Sequence, residues 1–106
     1  MSLTKQYKMT VLARIKRDPE FAKALFAEAI NAILDGETEE GLSMLRDLVH
    51  AEISFKELAR QTGFGEKTLH RMLGQRGNPT ARSLATILHA IRKELGLIPR
   101  VTVAAA

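Results

Sequence analysis

The chain has 106 residues, enough for one small domain with a single core, and 45% of them are hydrophobic, so we expect it to fold rather than stay disordered. It contains no cysteine, which excludes disulfides, cysteine-based zinc sites and thiol nucleophiles. Residues 1–50 carry a net charge of −1 (seven Lys/Arg, eight Asp/Glu) and residues 51–106 a net charge of +5 (nine against four). The basic half suits a polyanion partner, although a solubilising surface explains it equally well.

No apolar run reaches the length of a membrane span, and the N-terminus lacks the apolar core of a signal peptide. We therefore expect a cytoplasmic protein that does not enter a membrane. Nearly every segment has helical spacing, so the predicted fold class is all-α. We expect residues 1–106 to form one domain, in which helices of residues 1–50 pack on the core.

The N-terminal half predicts three helices, the first over roughly residues 4–17. Asp18-Pro19-Glu20 is typical of a helix start, with an N-cap residue followed by proline. That second helix is expected to run to Asp35, with Gly36 after its last turn. Thr38 is the predicted N-cap of the third helix.

The second helix is apolar over more than half of its circumference, which is wider than one core-facing stripe needs. We expect neighbouring helices to cover it on both sides. The less favoured alternative is a protein-binding surface formed by this helix and an adjacent acidic patch. We define the acidic patch as Asp35, Glu37, Glu39 and Glu40.

Residues 51–96 contain a predicted helix-turn-helix. Ser54 and Glu57 fit a capping box at the start of its first helix. Gly63 supplies the positive φ that the turn requires. A second helix of about residues 65–74 follows. The stretch reads "SFKELARQTGFGEKTLHRML".

At 100° per residue, Lys67, His70, Arg71 and Gly74 fall opposite the apolar side of this second helix, with Thr68 on a flank. Arginine and lysine on such a face can bond guanine or phosphates at the edge of the major groove. Taken singly, Lys67 or Arg71 is more simply interpreted as an ordinary charged residue exposed to solvent. The combination of turn, helix face and charge favours DNA.

The chain then breaks at Gly77-Asn78-Pro79. We expect a left-handed conformation at Gly77, an Asx turn at Asn78, and a block to helix continuation at Pro79. Thr80 is the predicted cap of the last helix. Its N-terminus, between Arg76 and Arg82, is predicted to bind a phosphate. A simple helix–helix loop explains the break but not the arginines. The residues expected to contact DNA are therefore Lys67, Thr68, His70, Arg71, Arg76, Asn78, Thr80 and Arg82.

The last helix is expected to end at Gly96. The tail of residues 97–106 contains "IPRVTV", in which apolar and polar residues alternate and valine and threonine favour a short strand.

The stretch "ISFKELARQTGFGEKTLHRMLGQRGNPTARSLATILHAI" resembles the Xre-type, lambda-repressor-like helix-turn-helix, and more closely the HigA-like addiction-module antitoxins. The upstream "DPEFAKALFAEAI" and "LRDLV" are also similar to that subgroup, so the resemblance covers about residues 18–103. The chain departs from the Xre pattern at three positions. Phe55 replaces a common glutamine, Gly65 the usual Ser or Thr cap, and Glu66 a common Arg or Ser.

The resemblance implies a homodimeric repressor that binds a double-stranded operator, autoregulates its operon and neutralises a toxin, often a ribonuclease. The alternative is a protein-interaction module that neutralises such a nuclease with little DNA binding of its own. No catalytic spacing or phosphate loop is recognised, so no enzymatic activity is expected. Neither a cofactor nor a metal ion is expected.

Overall fold

The computed structural model describes residues 3–106, and their side chains from Lys5 onward. Every regular element in this range is helical, which confirms the all-α prediction. The α-helices are α1 (Leu3–Arg17), α2 (Pro19–Leu34), α3 (Thr38–Leu48), α4 (Phe55–Thr62), α5 (Glu66–Met72) and α6 (Ala81–Leu95). A π-helical turn, Val49–Ile53, joins α3 to α4 and was not foreseen in the sequence.

Local capping explains most of the helix ends. Asp18 accepts hydrogen bonds from the N–H groups of Glu20 and Phe21 at 3.1 and 3.3 Å, as its N-cap prediction requires. Gly36 follows α2 at a φ of +84°, also as predicted. The prediction for Thr38 is wrong, because Thr38 is the first residue of α3 and Glu37 precedes it without a side-chain cap.

Helix α2 packs against both α1 and α3, which is the favoured arrangement for its broad apolar surface. Ala22, Phe26 and Ala29 are buried on it, whereas Leu34 at its end is exposed. One hydrophobic cluster continues from this part of the chain into the other helices. Its largest fully buried side chains are Ile15, Leu42, Leu45, Leu48, Val49, Leu58, Leu69, Leu73, Ile87 and Ile91.

The predicted C-terminal strand is wrong: residues 97–106 form no regular element. A strand needs a neighbouring strand to bond its backbone groups, and the described part of the chain offers only helices. The tail instead lies beside α2, and a groove of about 610 Å³ separates Ile30 and Leu34 from Ile98 and Val101. Among the described helices, none combines the length and the apolar character that crossing a membrane would need.

Candidate nucleic-acid interface

Helices α4 and α5 are in contact and are joined by a turn of three residues, as the sequence predicts. Gly63 begins this turn at a φ of +81°, and its N–H donates to the carbonyl of Ala59 at 2.9 Å. Phe64 follows, half-buried against the core. The helix-turn-helix is therefore fixed by a left-handed glycine and an apolar anchor.

Helix α5 buries one side and exposes the other. Leu69 and Met72 lie in the core, whereas Lys67, His70 and Arg71 are exposed. This division confirms the face predicted from helical spacing. Thr68 is half-buried on the flank.

Gly74 does not belong to the outward face of α5, because the helix ends at Met72. A Cβ on Gly74 would lie 2.8 Å from the carbonyl oxygen of His70. The chain's own turn therefore requires glycine at this position.

Only half of the predicted capping box of α4 is present. Ser54 Oγ accepts the N–H of Glu57 at 3.1 Å, but the Ser54 N–H donates to the carbonyl of Val49. The Glu57 carboxylate instead accepts hydrogen bonds from Arg60 and Gln61, and these bonds lower the pKa of Glu57 to about 2. Ser54 has a φ of +98°, which a non-glycine residue rarely adopts.

The break after α5 needs Gly77 for a reason other than the predicted one. Gly77 does not have a positive φ. A Cβ at this position would lie only 2.0 Å from the carbonyl oxygen of Met72, so the backbone passes too close to α5 for any side chain. The predicted Asx turn is also wrong, because within the described residues the exposed Asn78 side chain makes no hydrogen bond.

The start of α6 agrees with the sequence prediction. Pro79 precedes Thr80, whose Oγ1 accepts the N–H of Ser83 at 3.1 Å. The first hydrogen bond within α6 is donated by the N–H of Leu84 to the carbonyl of Thr80, so the N–H groups of Ala81 and Arg82 have no acceptor within the helix and remain available as donors. Because its hydroxyl forms this cap, Thr80 fixes the start of α6 and does not offer a free hydroxyl to a ligand.

Four exposed cations lie on α5 and around the start of α6: Lys67, Arg71, Arg76 and Arg82. None of them forms an ion pair with another residue of the described chain. Their charges are therefore not neutralised internally.

Arg46, which the sequence prediction missed, supports the end of α5. Its Nη1 donates to the carbonyl oxygen of Leu73 at 2.8 Å, and its Nη2 donates to Ser43 Oγ at 3.4 Å. Leu73 is the C-cap of α5, so Arg46 satisfies one of the carbonyls that a helix end leaves without a partner. No local sequence signal links residues that are 27 positions apart.

Three rings meet beside α5. The His70 ring stacks on Phe55 with centroids 3.8 Å apart and planes 14° apart. The His50 ring lies 4.8 Å from Phe55 and 6.0 Å from His70. Partial burial and, next, the nearby His70 imidazole lower the pKa of His50, whereas Asp47 opposes the shift.

The acidic patch is exposed throughout. Glu39 and Glu40 also line a groove of about 710 Å³ between α1, α2 and α3. Apolar side chains in this groove include Tyr7 and Phe21, and Arg46 and Gln75 lie at its border with α5.

Comparisons with protein-family models, with curated proteins and with solved structures find no match for this chain. The resemblance to Xre-type and HigA-like proteins therefore stays an expectation carried by the quoted residues.

Proposed function

We propose that the protein binds double-stranded DNA sequence-specifically and acts as a cytoplasmic repressor, a binding function without catalysis. The observation that carries this proposal is the exposed, internally unpaired basic face of α5 in a helix-turn-helix, flanked by the basic start of α6. An exposed helix of this kind fits the major groove of B-DNA.

Within this proposal, α5 lies in the major groove. Lys67 and Arg71 reach guanine O6 and N7 or phosphates at the groove edge, and His70 donates to or accepts from a base. Glu66, exposed in the first turn, can accept from the N4 amino group of cytosine.

The start of α6 binds the DNA backbone. Arg76 and Arg82 are exposed on either side of Thr80, and the free N–H groups of Ala81 and Arg82 add donors where the helix dipole favours an anion. Contacts of this class hold the protein in register without reading sequence.

The test begins with selection of a binding site from a random duplex library, followed by fluorescence anisotropy at fixed salt. Arg71→Ala should weaken binding to the selected site by about 1–3 kcal/mol. Arg82→Ala should weaken selected and random duplexes alike and reduce the slope of log affinity against log salt by about one.

Arg17→Ala is the matched control. Arg17 is an exposed cation at the end of α1 and has no ion pair in the described chain. It belongs neither to the helix-turn-helix nor to α6, so its replacement should leave binding almost unchanged. If no sequence is selected, or if Arg71→Ala and Arg17→Ala behave alike, the proposal fails.

We also propose that the repressor is a homodimer, because one small reading helix discriminates poorly among genomic sites. The tail of residues 98–103 and the exposed side of α6 are the candidate surfaces. Ile98, Val101 and Val103 are 71, 75 and 86% exposed, so their apolar side chains are available for contact with a second copy. Half-sites should lie about one helical turn apart. If sedimentation at micromolar concentration shows a monomer both with and without operator DNA, the dimer proposal fails.

The second candidate function is neutralisation of a basic, nuclease-like toxin, alone or together with repression. The groove lined by Tyr7, Phe21, Glu39 and Glu40 favours it, because apolar side chains lie beside two acids that form no ion pair in the described chain. The test is co-purification with the product of the neighbouring gene. Conversion of the acidic patch to amides (Asp35→Asn, Glu37→Gln, Glu39→Gln, Glu40→Gln) should release the partner. If the complex persists, the patch is a solvated loop.

A further inference from the structure

The stack of His70 on Phe55 separates one residue of α5 from the other exposed residues. Lys67 and Arg71 extend from the helix without a partner in the described chain, but the imidazole of His70 lies almost parallel to a phenyl ring, with centroids 3.8 Å apart. Phe55 is only 5% exposed and belongs to the hydrophobic core. His70 therefore stacks on a side chain that is itself packed in the core.

His50 adds a second support from a different element. Its ring belongs to the π-helical turn and meets Phe55 at 4.8 Å with an angle of 56° between the planes. It also approaches His70, with centroids 6.0 Å apart. Two other elements, α4 and the π-helical turn, thus contribute to the surroundings of one side chain of α5.

Stacking restricts the two side-chain torsions of His70 before any ligand arrives. The nitrogens of an imidazole lie in the ring plane, so fixing the plane also fixes the directions in which they donate and accept. A side chain that is already ordered loses less conformational entropy on binding, and a fixed direction distinguishes one base edge from another.

We propose that Phe55 is a positioning residue for His70, and that through this stack the first residue of α4 sets the base preference at the base pair that His70 contacts. The proposal rests on the proposed DNA-binding function. Phe55 is buried and does not itself contact DNA.

The decisive experiment is a double-mutant cycle read as base discrimination. The affinity for the selected site is compared with the affinities for sites that carry each single base-pair change. His70→Ala should abolish a preference of about fivefold or more at one base pair. Phe55→Leu should abolish most of that same preference and leave the preferences at other base pairs unchanged.

The double variant identifies the route of the effect. In the His70→Ala background, Phe55→Leu should cause no further loss at that base pair, because the group it positions is already absent. Phe55→Tyr retains a ring and should keep the preference. An equal loss by Phe55→Leu at every base pair would show a purely structural role and overturn the inference.

The wild-type chain provides a test that does not depend on the folding of a variant. NMR of the DNA-free protein should show an upfield ring-current shift of the His70 ring protons and couplings typical of one rotamer. Couplings averaged over several rotamers would refute the preordered ring. Failure of the wild-type chain to select any duplex sequence would remove the proposed function, and this inference with it. Selection followed by a uniform loss in Phe55→Leu would remove this inference alone.

Discussion

Gly77→Ala tests why the chain breaks where it does after α5. The substitution adds a single methyl group at a position whose φ is not positive, so an alanine could adopt the backbone conformation itself. The difficulty is space. The new Cβ would lie 2.0 Å from the carbonyl oxygen of Met72, 2.7 Å from its carbon, and 3.0 Å from the carbonyl oxygen of Arg71.

The size of the effect follows from what the methyl group meets. Unstrained carbon contacts lie at about 3.5–4.0 Å, so the overlap at Met72 exceeds about 1 Å. All three atoms are backbone atoms of α5, so no rotamer change can relieve the contact, and the loop must move away from the helix. Overpacking costs about 1–3 kcal/mol, and we expect the upper half of that range. This is a large part of a typical stability of about 5–15 kcal/mol.

Urea unfolding measures the effect, with Gly65→Ala as the matched control. Gly65 has a φ of −70°, and the nearest atom to its added Cβ, Thr68 Oγ1, would be at an ordinary 3.9 Å. The control should change the free energy of unfolding by less than about 1 kcal/mol, because a weaker cap is offset by lower entropy of the unfolded chain. If the two variants are equally stable, Gly77 is not held by this close approach.

Three further predictions concern the supports of the helix-turn-helix. In urea unfolding, Arg46→Ala should lower the free energy of unfolding by about 1–2 kcal/mol, since the Leu73 carbonyl loses its charged donor. Arg46→Gln should lower it by less, because the amide can still donate a hydrogen bond. Ser54→Ala should cost about 1 kcal/mol through the lost cap, whereas Ser54→Gly should be neutral or stabilising, because glycine relieves the φ of +98°. The pKa of His50 is lowered in the folded chain, so the unfolded chain binds a proton more readily and the protein should lose stability as the pH falls below 6.5. In a pH series of thermal unfolding, His50→Gln should reduce this loss of stability.

The helix ends were largely predictable because their causes are local. Asp18 bonds N–H groups two and three residues ahead, and Thr80 bonds the N–H of Ser83. Gly63 needs only its own backbone freedom. The exposed face of α5 was predictable for the same reason, since helical spacing alone separates Lys67 and Arg71 from the core.

What the sequence did not reveal depends on contacts between distant residues. The close approach at Gly77 is set by how the loop returns past α5. The sequence therefore indicated correctly that the break involves Gly77, but the left-handed conformation predicted for it was wrong. The Arg46–Leu73 bond and the stack of Phe55 on His70 join residues with no local signal between them. The tail illustrates the opposite error, because strand propensity predicts a strand only where a partner strand exists.

The supports of α5 come from both halves of the chain. Arg46, near the end of α3, donates a hydrogen bond to the carbonyl of Leu73, the C-cap of α5, and His50 in the π-helical turn approaches His70. The helix-turn-helix segment of residues 51–96 therefore receives part of its support from residues that precede it. Arg46 also lines the groove that contains Glu39 and Glu40, as does Gln75 just after α5. A partner seated in that groove would contact the side chain that holds the end of α5, so the two proposed binding surfaces are physically connected. Variants of the acidic patch must accordingly be assayed for DNA affinity as well as for partner binding, because a change at one binding surface can alter the affinity at the other.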